Sequence, residues 1–115
     1  MTIHRILRPL VLLLCAAPLA CSGGAAAVDC KTVTVAKYSE MTAWGKCTNC
    51  HSSTLSGASR AGAPAGIDFD MYDSAVMDAD RALSEVESGS MPPGGNISAA
   101  EKTQIINWAS CDTPQ

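Results

Sequence analysis

Histidine, aromatic residues and long apolar runs are all scarce in this sequence. Among 115 residues, the histidines are His4 and His51, and aromatic residues make up 4%. A chain of 115 residues suits one compact domain and is too short for two ordinary ones, and because part of its apolar content lies in one N-terminal block, the folded part has a thin core. Basic residues are also few, with eight against eleven acidic residues and a net charge of −3. This balance excludes a nucleic-acid-binding protein, which needs clustered lysine and arginine.

Residues 1–20 have the pattern of a secretory signal. Arg5 and Arg8 give a positive start, an apolar run follows over residues 9–17, and small residues come next. The run is too short to cross a bilayer as a permanent helix. We therefore expect residues 1–20 to be removed on export. The alternative is a buried N-terminal helix.

Two cleavage sites are open. Residues 18–21 (PLAC) resemble the lipobox of bacterial lipoproteins, whose cysteine, here Cys21, is lipidated and becomes the new N-terminus, although Pro18 stands where that family has leucine. Ordinary cleavage after Ala27 is the alternative. We expect a flexible tether over residues 21–35 and a folded domain over residues 36–115. This places the domain in the periplasm or on the outer face of the cell envelope, with membrane contact only through a lipid at Cys21.

Loss of residues 1–20 changes what the chain can do. Six basic and eleven acidic residues remain, a net charge of −5, and His51 becomes the single histidine. One histidine excludes a three-histidine zinc site, a His-x-x-x-His metalloprotease and, in a monomer, a haem with two histidine ligands. Six cysteines in so short a chain also indicate export or a bound metal group.

Residues 47–51 read CTNCH, the C-x-x-C-H attachment sequence of a c-type haem. Two intervening residues let one turn of chain carry the thiols of Cys47 and Cys50 to the two vinyl groups of the porphyrin. His51 follows the second thiol directly and can give its imidazole to the iron. Three other interpretations are a thioredoxin-like redox pair, half of a zinc site and a structural disulfide. The first lacks its strand–helix–strand context and the second lacks a second ligand pair.

With this motif, the chain resembles small bacterial class I c-type cytochromes over residues 36–111. The resemblance continues in residues 62–64 (GAP), in residues 91–93 (MPP) and in a last helix that ends with residues 108–111 (WASC). It implies an all-α, cytochrome c-like fold of three to four helices and long loops around one covalently bound haem c. It also implies iron held by histidine and methionine, and one-electron transfer as the activity.

Met91 is the predicted sixth ligand of the iron. Because Pro92 and Pro93 follow it, we expect a stiff, extended loop that holds the thioether without help from a helix. Met41 lies in the helix that leads into the haem motif, which is an awkward position for this ligand. The remaining methionines, Met71 and Met77, are predicted to fill the core. Ligation by Met91 also follows the pattern of the resembling family.

Two further pairings come with the resemblance. In the family, a proline carbonyl accepts a hydrogen bond from the proximal histidine, and Pro64 stands in the matching place; the alternative is that Pro64 only stiffens its loop. A carbonyl acceptor for His51 is expected in either case, because such a bond fixes the ring. Cys30 and Cys111 flank the domain, and the first and last helices of this fold pack together. We therefore expect a Cys30–Cys111 disulfide.

Four helical segments are predicted, and no strand. They are residues 36–47, a short helix within residues 67–77, residues 79–88 with Asp78 as N-cap and Gly89 as stop, and a last helix opened by a capping box over residues 98–101. Residues 31–35 alternate in polarity but are too few for a convincing strand. The acidic residues at positions 68, 70 and 73 lack the glycine and glutamate of a calcium loop, so we expect them to form a solvated acidic face.

The sequence thus predicts an exported electron carrier that needs no catalytic acid, base or nucleophile of its own and is therefore no enzyme. Its acidic balance indicates redox protein partners with basic docking surfaces and no nucleic acid. Two alternatives stay open. One is a haem-based sensor or small-ligand binder, and the other is an electron-donating subunit of a larger oxidoreductase.

Overall fold

The computed structural model describes residues 27–115. The predicted signal, Cys21 and the first part of the tether lie outside these residues. Within residues 27–115, no helix combines the length and apolar character that crossing a bilayer requires.

The described residues form four α-helices, three short 3₁₀ helices and no strand, which confirms the all-α class. The α-helices are α1 (Trp44–Cys47), α2 (Tyr72–Met77), α3 (Ala79–Ser88) and α4 (Ala99–Ser110). The 3₁₀ helices are Tyr38–Glu40, Gly57–Arg60 and Pro93–Gly95.

The prediction of one helix over residues 36–47 is wrong. The chain is extended at Met41, with φ −79° and ψ 111°, and this residue separates the first 3₁₀ helix from the four residues of α1. The side chain of Gln104 on α4 accepts hydrogen bonds from Ala43 N and Thr42 Oγ1, both at 3.2 Å. The local sequence favours a continuous helix here. In the structure, Met41 is buried instead and the side chain of Gln104 serves as acceptor for the backbone N–H of Ala43.

The bounds of α3 agree with the prediction. Gly89 ends the helix in the left-handed region at φ 79°, which a residue without Cβ adopts without steric cost. Asp78 stands at the N-cap but makes no side-chain cap bond, and its carboxylate instead lies 3.6 Å from the Arg81 guanidinium. Asp78 also closes α2, so it does not adopt the extended backbone of an ordinary N-cap.

The capping box of α4 is present as predicted. Ser98 Oγ accepts from Glu101 N at 3.2 Å, and Ser98 N donates to a Glu101 carboxylate oxygen at 2.8 Å. From there α4 runs against α3 and buries Ile105 and Trp108 completely. The helix therefore begins at a local sequence signal and is held by its apolar face.

The core is built around an aromatic cluster. Trp44 stacks on Phe69 and meets the edge of Trp108, with ring centroids 5.1 and 5.2 Å apart. Tyr38 packs against both tryptophans, and its hydroxyl donates to Phe69 O at 2.8 Å. All five aromatic residues belong to this one cluster, because Tyr72 packs edge-on against Tyr38 with ring centroids 5.4 Å apart.

The two ends of the domain are joined as predicted. Cys30 and Cys111 form a disulfide with a Cα–Cα distance of 5.6 Å across 81 residues of sequence. The C-terminal tail reinforces this junction, because Pro114 O accepts from both Tyr38 N and Trp108 Nε1, at 2.8 and 2.9 Å.

Two predictions about burial are wrong. Met71 and Met77 are 52% and 79% exposed and do not fill the core, whereas Met41 is buried. Of the three aspartates predicted to form a solvated face, Asp70 and Asp73 are exposed as predicted, whereas Asp68 is partly buried and pairs with the buried Arg60 at 2.8 Å. Helical spacing alone cannot tell which face of the six-residue α2 meets the core, and in the structure Ala75 is buried whereas Val76 and Met77 are exposed.

Candidate functional site

A cavity of about 600 Å³ opens beside α3 and α4. Five separate parts of the chain line it, and their side chains are mostly apolar, as in small-molecule and cofactor sites of this size. They are residues 46–51 without Thr48, residues 61–69 in part, Arg81, Ala82, Glu85 and Val86 of α3, residues 91–96 in part, and Ile105 of α4. The predicted site residues Cys47, Cys50, His51, Pro64 and Met91 are all among them.

The two cysteines lie on one turn of chain. Cys47 ends α1, and Cys47 O accepts hydrogen bonds from Cys50 N and His51 N at 3.1 and 2.9 Å. Both thiols are free, although the residues are only three positions apart. Burial, with help from the negative charge of Glu101, raises the pKa of the Cys47 thiol to about 11. Redox-active and zinc-binding cysteines have lowered pKa values, so this thiol has the opposite tuning.

His51 is held through its ring and its backbone. Its Nδ1 lies 3.2 Å from Ile67 O, and its backbone O accepts from Phe69 N at 2.9 Å. The ring also meets the edge of Phe69, with centroids 5.5 Å apart. Because Nδ1–H is the natural donor to a carbonyl, the lone pair falls on Nε2. The imidazole is therefore oriented and free to act as a metal ligand.

The acceptor for His51 differs from the expected one. Pro64 O accepts a hydrogen bond from Arg60 Nη2 at 2.7 Å, and Ile67 O takes the place that the resemblance assigned to Pro64. Since Gly66 has φ 87°, the chain turns after Pro64 and brings Ile67 back to the histidine. Pro64 still lines the cavity, and the general expectation of a carbonyl acceptor for His51 is met.

Met91 comes to the same cavity from the loop after α3. Met91 N donates to Glu85 O at 3.1 Å, which joins the loop to the helix. The Met91–Pro92 peptide bond is cis, and Pro92 is extended at φ −68° and ψ 152°. The predicted extended stretch ends there, because Pro93 begins a 3₁₀ helix. The side chain of Met91 is 38% exposed.

Within residues 27–115, no three side chains of histidine, cysteine, aspartate or glutamate converge on one point. Comparisons with protein-family models, curated proteins and solved structures find no match. The cavity offers two thiols on one turn, one imidazole and one thioether, and the last two are ligands that suit iron or copper.

Sequence reasoning missed Arg60. Its side chain is 6% exposed, and its guanidinium donates to the carboxylate of Asp68 and to five carbonyl oxygens. Those carbonyls belong to Ser52, Leu55, Ala63, Pro64 and Ile67, at 2.6 to 3.5 Å. A signal existed, since Arg60 is the lone arginine or lysine between Lys46 and Arg81 and stands in a stretch of small residues that offers the backbone no other cation.

Proposed function

We propose that this chain is a mono-haem c-type cytochrome with a cytochrome c-like fold, which carries single electrons between redox partners outside the cytoplasm. One observation carries the proposal: Cys47, Cys50, His51 and Met91 line one apolar cavity of about 600 Å³. Met91 stands forty positions after His51, so its presence there does not follow from the C-x-x-C-H motif.

The residues present fit a haem c group. Free thiols such as those of Cys47 and Cys50 are the groups that add to porphyrin vinyls, and one turn of chain sets their spacing. His51 would bind iron through Nε2 while Ile67 O holds Nδ1. Met91 would bind the iron through its thioether sulfur. When bound, the iron supplies reversible one-electron chemistry, and a thioether ligand favours its ferrous state.

The cavity walls would keep water from the group. Ala82 and Val86 of α3 and Ile105 of α4 are buried and apolar, and Phe69 covers the side next to His51. Such walls would lower the local dielectric constant around a bound group. In this account the chain carries electrons and is not itself an enzyme, because it uses His51 as a ligand and has no other histidine for acid–base chemistry once the signal is lost.

The negative net charge of the chain supports redox partners that carry positive charge. The chain without residues 1–20 has a net charge of −5, and Asp73, Asp80 and Glu87 are exposed along α2 and α3. A negative surface steers positively charged partners, so we propose redox proteins with basic docking surfaces. Electron transfer to such a partner is then expected to slow as ionic strength rises.

The test of the carrier function is the optical spectrum of the purified protein with and without carbon monoxide. A carrier predicts a six-coordinate, low-spin haem whose reduced spectrum carbon monoxide leaves unchanged. Rapid binding of carbon monoxide by the unmodified protein would contradict the carrier and favour a sensor or small-ligand binder. Stable co-purification with a catalytic subunit, together with an unreactive haem, would favour the electron-donating subunit.

The proposed anchor has its own test. Haem staining of membrane and soluble fractions should find the protein in the membrane fraction, and Cys21→Ser should release it. Cys15→Ser, which changes the other cysteine of residues 1–26, is the matched control and should leave the protein in the membrane fraction. A soluble unmodified protein would favour cleavage after Ala27 and export to the periplasm without a lipid.

A further inference from the structure

Arg60 and His51 meet at one oxygen atom. Ile67 O lies 3.0 Å from Arg60 Nη2 and 3.2 Å from His51 Nδ1. Both nitrogens face the same carbonyl, and the arginine is a permanent cation. Ile67, whose carbonyl fixes the ring of His51, is therefore itself held by a positively charged side chain.

This cation is buried and almost fully satisfied. Its other hydrogen bonds gather the loop over residues 52–68, including the Pro64 carbonyl at 2.7 Å, and Ala61, Ala63 and Pro64 in turn form one wall of the cavity. Burying a charge is costly unless it is paired and hydrogen-bonded, and Arg60 has both kinds of partner. A loop of small residues would need no buried cation for packing alone.

The following inference rests on the proposed function. We propose that Arg60 is a positioning residue that raises the reduction potential of the haem. Reduction adds one negative charge at the iron, so a nearby buried cation favours the reduced state. Donation from Arg60 also draws electron density from Ile67 O. That carbonyl then accepts less strongly from His51, and the imidazole gives less charge to the iron, which again favours the reduced state. Both effects have the same sign.

Asp68 carries the opposite charge to Arg60 and therefore gives the proposal a second test. Its carboxylate lies 2.8 Å from Arg60 Nη1 and is 16% exposed, so it offsets part of the cation's effect. Removing the cation should lower the potential, whereas removing the carboxylate should raise it. A residue that only supports the loop predicts no such reversal, because both changes would merely loosen the same contacts.

The experiment is potentiometric titration of the intact haem protein and three variants, with chemical denaturation alongside. Arg60→Gln should raise the ratio of oxidised to reduced protein at a fixed ambient potential by about tenfold, which is 59 mV for a one-electron couple. Asp68→Asn should shift the ratio in the opposite direction. Arg60→Lys, which keeps the charge but not the fork of donors, should fall between Arg60→Gln and the unmodified protein and keeps the test open if Arg60→Gln does not fold.

Lys37→Gln is the matched control, because it makes the same change of charge at an exposed position and should leave the potential unchanged. Potentials that move in the same direction in Arg60→Gln and Asp68→Asn, or that do not move in either, would overturn the role of Arg60 while the haem of the unmodified protein still supports the proposed function. Unmodified protein without haem would overturn both.

Discussion

Trp44 lies flat against Phe69, with ring centroids 5.1 Å apart and ring planes within 4° of parallel. Phe69 in turn meets the edge of His51, so the aromatic core reaches the cavity through one residue. The stack buries the Trp44 indole N–H without a hydrogen-bond partner among the described residues. Trp108, packed against the same ring, has a partner for its N–H in Pro114 O at 2.9 Å.

This contrast predicts different costs for the same substitution. Trp44→Phe removes a buried donor that has no partner, whereas Trp108→Phe removes a hydrogen bond to Pro114 O. Because both rings are buried, the loss of packing is similar, and Trp108→Phe should cost about 1 kcal/mol more in the free energy of unfolding. Urea denaturation of the two variants measures the difference. An equal or larger cost for Trp44→Phe would mean that its N–H has a partner that the described residues do not include.

The disulfide should contribute strongly to stability. Cys30 and Cys111 close a loop across 81 residues of sequence, so replacing both by alanine should lower the free energy of unfolding by about 4 kcal/mol through the entropy of the unfolded chain. Alkylation of the unreduced protein before mass spectrometry is the companion measurement. It should label neither cysteine, and label on both would show that the pairing does not form.

Acid should weaken the protein partly through Asp70. Desolvation raises the pKa of this carboxyl, but hydrogen bonds from the Ser53 hydroxyl and N–H, at 2.7 and 2.8 Å, and from Ser52 outweigh it, so its pKa lies below the ordinary value. A lowered pKa gives stability that is present above the unfolded value of about 4 and is lost as pH falls further.

Stability measured from pH 7 down to pH 2 therefore tests Asp70. The difference between unmodified protein and Asp70→Asn should be largest at neutral pH and should shrink below about pH 4. Asp73→Asn is the control, since the Asp73 side chain makes no hydrogen bond within residues 27–115. A difference for Asp70→Asn that stays constant or grows on acidification would contradict this account.

Met91 is expected to control the spectrum without controlling haem content. Met91→Ala should keep the thioethers of Cys47 and Cys50, abolish the weak long-wavelength sulfur-to-iron band of the ferric protein, lower the potential and let carbon monoxide bind. Met71→Ala and Met77→Ala should leave the spectrum alone and change stability by about 0.5 kcal/mol or less, because both side chains are exposed. If the band survives Met91→Ala and disappears in either control, the ligand assignment is wrong.

Sequence predicted best the features that local rules decide. The capping box at Ser98 and the glycine stop at Gly89 set helix ends through contacts within one turn, so both were visible in the sequence. The break at Met41 was not visible in the sequence, because the hydrogen-bond acceptor for Thr42 and Ala43 belongs to Gln104 on a distant helix. Tertiary contacts of this kind leave no periodic pattern in the sequence.

The site divides in the same way. The motif at residues 47–51 and Met91 with the two prolines after it are readable from consecutive residues, and the structure brings both to one cavity. Ile67 rather than Pro64 accepts from His51 because of the turn at Gly66 and the hydrogen bonds from Arg60. These features decide where each carbonyl points in three dimensions. Sequence predicted that His51 needs a carbonyl partner but not which carbonyl would reach it.

The central claim is that Cys47 and Cys50 hold haem covalently. Its most direct test is intact mass spectrometry of the exported protein after acid–acetone extraction, with Cys47→Ala/Cys50→Ala as the comparison. The account predicts that the unmodified polypeptide keeps the added mass of one haem and that the double variant loses it to the solvent. Extraction of haem from the unmodified chain, or a polypeptide of unmodified mass, would contradict the account.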